Sequence, residues 1–336
     1  RGLIMTEVLS HLSDITIDNG ITYRHLTMFP LRSDADGNLD YLTLDEALRG
    51  GFVHIGEMSR AGSVPELRLK NGADLPVLIV DGEELVGAKQ NRTANLTVLA
   101  PARTTIVLPV SCVEAGRWSH ASDHFVASDR AHFARGRASR VASVSRSMSS
   151  EGSRRSDQAR VWHDVAEVAC RMEAPSPTQA MAAVFERHRT RIQDYVEALG
   201  ATDNQVGAIF AVGADIIGLD LFDRSTTLAA LLPKLIRSYA VDALEAGDEA
   251  QSGPEGGSAE TFLQSAASAK VEGYPAVGLG TDIRLSAPGL AGGGLVVECG
   301  LIHLAAFSIS DDRNGGRVES RGMARARDRR QSMRRR

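Results

Sequence analysis

The sequence predicts an α+β fold, with antiparallel-rich sheet built from both chain ends and helices from the middle packed on it. Three observations carry this reading. Short β-rich runs separated by Gly, Asn or Asp turns fill residues 15–114. Apolar residues recur at helical spacing over 161–199 and 225–246. Apolar, strand-like runs return near the C-terminus. With 336 residues, 43% of them apolar, the chain can bury a sizeable core.

Strands are expected at 15–17, 21–31, 52–58, 64–69, 77–88, 96–99 and 104–114. Within 77–88, Asp81-Gly82 lies between two apolar runs and fits a tight hairpin, whose two turn residues both take positive φ. The Arg/Ser-rich stretch from Ser128 to Gln158 carries eight serines between Ser139 and Ser156. It is expected to hold a short helix near 134–148 around a mobile loop. Val161, Trp162, Val165, Val168, Ala169 and Met172 form one helical stripe. Ser176, Pro177 and Gln179 then read as a capping box with proline in the first helical position. The face it opens runs through Met181, Val184, Phe185, Ile192, Val196 and Leu199 to a stop at Gly200. Residues 206–222 return to strand, turning at Gly213-Ala214, and a helix bent by Pro233 is expected over 225–246. A polar, Gly-rich connection covers 247–257. Closing strands at 283–285, 295–298 and 301–309 surround Gly292-Gly293-Gly294.

Charge divides the chain. The net charge is −4, yet residues 313–336 hold ten arginines against Glu319 and Asp328, so the tail carries +8 and the body −12. The expected organisation is a flexible extension over 1–14, one domain over 15–309 containing the mobile 128–158 insertion, and a disordered basic tail over 310–336. An acidic body repels nucleic-acid phosphates, so no specific nucleic-acid partner is expected. No uncharged apolar run approaches the ~18 residues of a membrane span, and no signal-peptide pattern opens the chain, so a cytoplasmic protein with no membrane partner is expected. A homo-oligomer is compatible with this composition. Cys112, Cys170 and Cys299 are too scattered for a disulfide framework or a paired-cysteine zinc site.

Two stretches carry candidate chemistry. Gly87-Ala88-Lys89-Gln90-Asn91-Arg92 ends a strand with a dense set of amides and cations, suited to holding a phosphate, carboxylate or carbonyl rather than to moving protons. The alternative is a solvated loop whose amides satisfy nearby backbone. Ser111-Cys112-Val113-Glu114-Ala115-Gly116-Arg117-Trp118 follows an apolar strand, and alternation turns Cys112 and Glu114 inward with Ile106, Leu108 and Val110. An inward carboxylate needs a partner or a shifted pKa. Glu114 therefore reads either as a proton-handling group, with Cys112 beside it as the second catalytic candidate, or as half of a structural pair with Arg117 next to an inert cysteine. Asp220 and Arg224, in Gly218-Leu219-Asp220-Leu221-Phe222-Asp223-Arg224, are further candidates for substrate binding. His120, Asp123, His124 and His132 have metal-like spacing but read as polar surface, so no metal site is expected. His303 reads as a satisfied core histidine. No phosphate loop, dinucleotide fingerprint, zinc-protease motif or nucleophile elbow is present, and no cofactor is named by any motif.

These stretches resemble the ARG- and rhodanese-phosphatase-superfamily-associated protein domain. The likeness is carried by 87–92, by 110–118 without Ala115, by Gln158 with Val161-Trp162, by 206–243 and by His303-Leu304, and it spans roughly 15–307. Its name implies association with ADP-ribosylglycohydrolases and with the rhodanese-phosphatase superfamily, which points to nucleotide or phosphoester metabolism. The expectation is a protein acting on a small anionic metabolite: Arg92 and Arg117 bind the anion, Gln90 and Asn91 orient it, Trp118 stacks and Glu114 handles protons. The alternative is a ligand-binding or regulatory module without turnover.

Overall fold

The computed structural model describes residues 11–12, 14–34, 37–59, 62–247, 253–298 and 300–309. The expected basic tail, Cys299 and all of the expected N-terminal extension except residues 11, 12 and 14 lie outside the described residues.

The chain opens with β1 (Thr16–Ile17), β2 (Ile21–Tyr23) and β3 (Leu26–Arg32). Strand β4 (Leu42–Thr43) runs straight into α1 (Leu44–Arg49). There the Thr43 hydroxyl accepts the Glu46 N–H at 3.3 Å while the Glu46 carboxylate accepts the Thr43 N–H at 2.8 Å, a reciprocal cap. Next come β5 (Val53–Glu57), β6 (Glu66–Asn71), β7 (Val77–Ile79), β8 (Glu83–Gly87), β9 (Arg92–Ala94), β10 (Val98–Ala100), β11 (Thr105–Cys112) and β12 (Phe125–Ala131). The middle supplies α2 (Ala134–Glu151), α3 (Gln158–Arg171), α4 (Ala182–Arg187) and α5 (Arg189–Ala198), then the hairpin β13 (Gln205–Val212) and β14 (Asp215–Phe222), and α6 (Ser225–Ala246). Helix α7 (Ser258–Ala267) precedes β15 (Lys270–Pro275), β16 (Thr281–Ala287), β17 (Leu290–Val297) and β18 (Gly300–Ser308).

These strands form three sheets. A nine-stranded antiparallel sheet runs β1-β3-β13-β14-β18-β17-β16-β15 with β2 added on β3, and so joins the two chain ends through the central hairpin. A six-stranded sheet runs β12-β8-β9-β11-β6-β5, and a three-stranded one runs β10-β7-β4. The fold is α+β. Strand β13 is buried along its whole length because both faces of the large sheet are covered. Ala208, Phe210 and Val212 join the core formed with the middle helices, whereas Val206 and Ile209 join the core under α7. A third core fills the six-stranded sheet around Leu67, Leu85, Val110 and Phe125.

Four local expectations are corrected. Asp81-Gly82 does not close a hairpin: β7 pairs with β4 and β10, while β8 pairs with β9 and β12. Only Gly82 takes positive φ (92°), so the turn hands the chain from one sheet to another. The box at Ser176 does not start a helix: Gln179 sits at φ 52°, Ala180 bridges to Glu114, and α4 begins later. The helix expected near 134–148 is present as α2 and runs for 18 residues, but the mobile loop expected at the centre of 128–158 is absent, because the polar face there is buried against charged partners rather than left in water. Gly292, Gly293 and Gly294 lie inside β17, where an added Cβ would meet Ala305 O at 2.8 Å, the Arg284 guanidinium at 2.7 Å and His303 O at 2.4 Å. Helix α7 and strand β15 were not expected at all.

Candidate functional site

The short strand β9 lies between β8 and β11, with Arg92 opposite both Leu85 and Cys112. Paired residues of an antiparallel sheet project to one face, so Arg92 and Cys112 are neighbours. Gly87 at φ 138° and Ala88 at φ 41° swing the chain out of β8; a Cβ on Gly87 would meet His124 O at 2.5 Å. The returning loop carries Gln90 and Asn91 to the end of β11, where Val113 N–H donates to Asn91 O at 3.1 Å.

Glu114 stands where this loop and the strand end meet. Its Oε2 accepts from Arg117 Nε at 2.8 Å and from the Asn91 N–H at 3.1 Å, with Arg117 Nη2 at 2.6 Å; its Oε1 accepts from the Thr178 hydroxyl at 2.8 Å. Arg117 also donates to Asn91 Oδ1 at 3.0 Å and to Ala88 O at 2.9 Å. Gln90 donates to Glu114 O at 3.1 Å and accepts from Arg92 Nη1 at 3.0 Å. Gln90, Asn91, Arg92, Glu114 and Arg117 are thus one hydrogen-bonded cluster. Burial pushes the Glu114 carboxyl up, but hydrogen bonds from Arg117, Thr178 and Asn91 outweigh it and hold it below the usual carboxylate range. Glu114 and Arg117 form the pair that the structural alternative anticipated.

Cys112 is buried, accepts the Glu114 N–H at 3.4 Å, and has its thiol pushed up by burial. That is the environment of a thiol rather than a thiolate. Gln158 pins α3 to this strand end through two bonds of 2.8 Å, accepting the Cys112 N–H and donating to Cys112 O. Arg92 differs from its neighbours. It is wholly buried, yet its Nε and Nη2 have no hydrogen-bond partner. The Glu57 carboxylate is 3.9 Å away, and its Oε1 is equally unpartnered. Trp118, 47% exposed, places its ring 5.7 Å from the Arg92 guanidinium carbon and 5.3 Å from Lys89 Nζ.

Asp220 and Arg224 belong elsewhere. Asp220 is inside the protein, held bidentately by Arg137 at 2.6 and 3.0 Å, with Tyr239 Oη at 3.0 Å and His303 Nε2 at 3.3 Å. Burial pushes its carboxyl up, but Arg137 and His303 overcome this and hold it far below the usual range. The second ring nitrogen of His303 meets Thr97 Oγ1 at 2.8 Å, so this histidine is satisfied within the core. Arg137 and Arg140 share Asp81, at 3.2 and 2.7 Å. Arg224 instead stacks on Tyr41 at 4.4 Å and lies 3.4 Å from Asp223. The sequence reading missed Arg137, Arg140, Glu57 and Thr178. The first two carried a signal, since residues three apart share one helix face.

The histidines do not converge. His120 pairs with exposed Asp123 at 3.0 Å, His124 packs on His54 at 3.8 Å, and buried His132 meets Arg140 Nη1 at 2.7 Å. Among the described residues no group of three or more His, Cys, Asp or Glu side chains is placed to hold a metal ion. No helix of the described residues is long and apolar enough to cross a membrane. No curated protein and no solved structure matches this chain. A family model does match it over residues 14–307, most of its length, and the chain belongs to the ARG and Rhodanese-Phosphatase-superfamily-associated Protein domain family.

Proposed function

We propose that the cluster around Arg92 recognises a small anionic metabolite, of the nucleotide, ADP-ribose-like or phosphoester class, and that it works as a binding module. One observation carries this reading: a buried guanidinium keeps two nitrogens without hydrogen-bond partners beside a half-exposed tryptophan. Unsatisfied buried donors are costly, and an oxyanion is the group that satisfies a guanidinium edge best. Trp118 is the side chain that moves aside or stacks when a ligand reaches Arg92. Arg117 is occupied by Glu114 and Asn91, so its role is to hold the loop rather than to clamp the anion.

Binding is favoured over turnover because Glu114 accepts from three partners and is held ionised, and Cys112 is a buried thiol. Neither is poised to give up or take a proton near neutrality. The test is thermal unfolding of wild type and Arg92→Gln with ADP-ribose, ADP and ribose 5-phosphate. A ligand at a hundred times its Kd stabilises the native state by about 2.7 kcal/mol. Wild type should gain several degrees with at least one of them and Arg92→Gln none; equal shifts in both proteins refute the assignment. Product analysis of any ligand found tests the second reading, turnover with Glu114 as the proton-handling group. In that case Glu114→Gln abolishes product formation while the thermal shift persists.

A further inference from the structure

A cavity lies away from this cluster, where the β2–β3 turn, α5 and the end of α6 meet. It has a volume of about 330 Å³, and Arg24, His25, Arg191, Tyr195, Ala243 and Leu244 line it. Small-molecule sites occupy this size range and combine an apolar wall with a few convergent polar groups. Here Ala243 and Leu244 supply the wall and two guanidiniums the charge.

The backbone gives an independent reason to look at Arg24. Tyr23 pairs with Leu26, so Arg24 and His25 are the two residues of a tight turn, and Arg24 takes φ 51°. That conformation favours Gly or Asn and disfavours a long side chain. An arginine kept there needs a compensating use. Its guanidinium interacts with the Tyr23 side chain, the carbon 5.4 Å from that ring, and one nitrogen is 4.0 Å from Asp194, yet the side chain stays 47% exposed. Tyr23 in turn packs edge-on at 5.1 Å against Tyr195, one of the lining residues. Arg191, one helical turn before Tyr195 on α5, is exposed, and its charge acts on the Tyr195 hydroxyl.

The geometry points to a second binding site, between the β2–β3 turn and α5, for a small oxyanion carried on an apolar body about one ring in size. Arg24 and Arg191 bind the oxyanion, and the apolar body lies against Ala243 and Leu244. Two opposing charges must be outweighed. The end of α6 contributes roughly half a negative elementary charge, and Asp194 competes for Arg24. Two full guanidinium charges exceed the first, and the 4.0 Å spacing of the Asp194 pair leaves the second replaceable.

Isothermal titration calorimetry with phenyl phosphate, benzoate, inorganic phosphate and benzyl alcohol tests this. Phenyl phosphate or benzoate should bind, the better of the two identifying the oxyanion, while inorganic phosphate and benzyl alcohol bind at least about ten-fold more weakly. Arg24→Gly and Arg191→Gln should each weaken binding about ten-fold, and Arg92→Gln should leave it unchanged, which separates this site from the one proposed above. Arg24→Gly also installs the residue that the turn prefers, so its melting temperature should hold or rise as affinity falls. An arginine with a merely structural role would lower stability and leave affinity intact. That result, binding lost in Arg92→Gln, or no heat from either aromatic anion overturns the proposal.

Discussion

Arg137 and Arg92 are both wholly buried guanidiniums, and they have opposite surroundings. Arg137 places all three of its nitrogens on carboxylates, Nε on Asp81 and both Nη on Asp220. Burial alone would lower its pKa, but the two aspartates raise it above the usual arginine value. Arg92 has one bond, to the Gln90 amide oxygen, and burial pulls its pKa down. The contrast separates two uses of the same side chain. Around Arg137 the charges are consumed internally and tie α2 to the turn after β7 and to β14 of the large sheet. Around Arg92 the sheet and the Glu114–Arg117 pair hold a cation with two donors left over, the feature on which the proposed anion recognition rests.

The contrast can be tested from either side. The largest effect is expected for Asp220→Ala, which strands the Arg137 guanidinium in the core and should cost ~3–5 kcal/mol in denaturant unfolding. Glu114→Gln should come next, with a loss of ~1.5–3 kcal/mol, since a buried ionised acceptor loses its charge while the half-buried Arg117 keeps its own beside it. The sign of its pH dependence follows from the lowered pKa. The stabilisation is complete above the ordinary carboxylate value, near pH ~4.3, and disappears as the pH falls through the folded value below it. Wild type should therefore lose more stability than Glu114→Gln on acidification below that point.

Asp242 is the opposite case, a buried carboxyl whose charge is poorly met. Burial pushes it up to about 7, with Arg135 as its cationic neighbour at 3.4 Å. A raised carboxylate pKa imposes a penalty that grows as the pH rises from the unfolded value towards 7 and is complete above it. Asp242→Asn should flatten wild type's decline between pH 5 and 8, by on the order of 1 kcal/mol per pKa unit removed, as read by urea unfolding at each pH. The smallest effect on stability is expected for Arg92→Met, within about 1 kcal/mol, because a charge with two unmet donors is removed with its desolvation cost. The same variant should lose the response to anionic ligands. A loss of several kcal/mol would place Arg92 with Arg137 as a scaffold residue and erase the distinction between them.

How legible this was in the sequence depended on the range of the signal. The helix over 225–246, the hairpin turning at Gly213 and the stripe from Val161 to Met172 follow from apolar periodicity and a glycine at positive φ, both local properties. The juxtaposition of 87–92 with 112–118 was also within reach, because inward alternation of Glu114 demanded a partner. The Asp81-Gly82 turn was misread because the dipeptide is the same whether the strands flanking it pair with each other or with others. The Arg/Ser-rich stretch gave no apolar stripe, since the buried face of α2 is charged as well as apolar. Polar residues spaced for a surface look identical to polar residues spaced for an internal ion network until their partners are known.

Local sequence was enough for the fold class, the periodic elements and a concentration of amides and guanidiniums around Gln90, Asn91, Arg92 and Arg117. Those depend on side-chain chemistry and on neighbours a few residues away. Which charges are spent and which are left over emerges only in three dimensions. Asp220 meets an arginine 83 positions earlier, and Thr178 caps a glutamate 64 positions earlier. Electrostatic satisfaction is a property of distance in space, and no spacing along the chain records it.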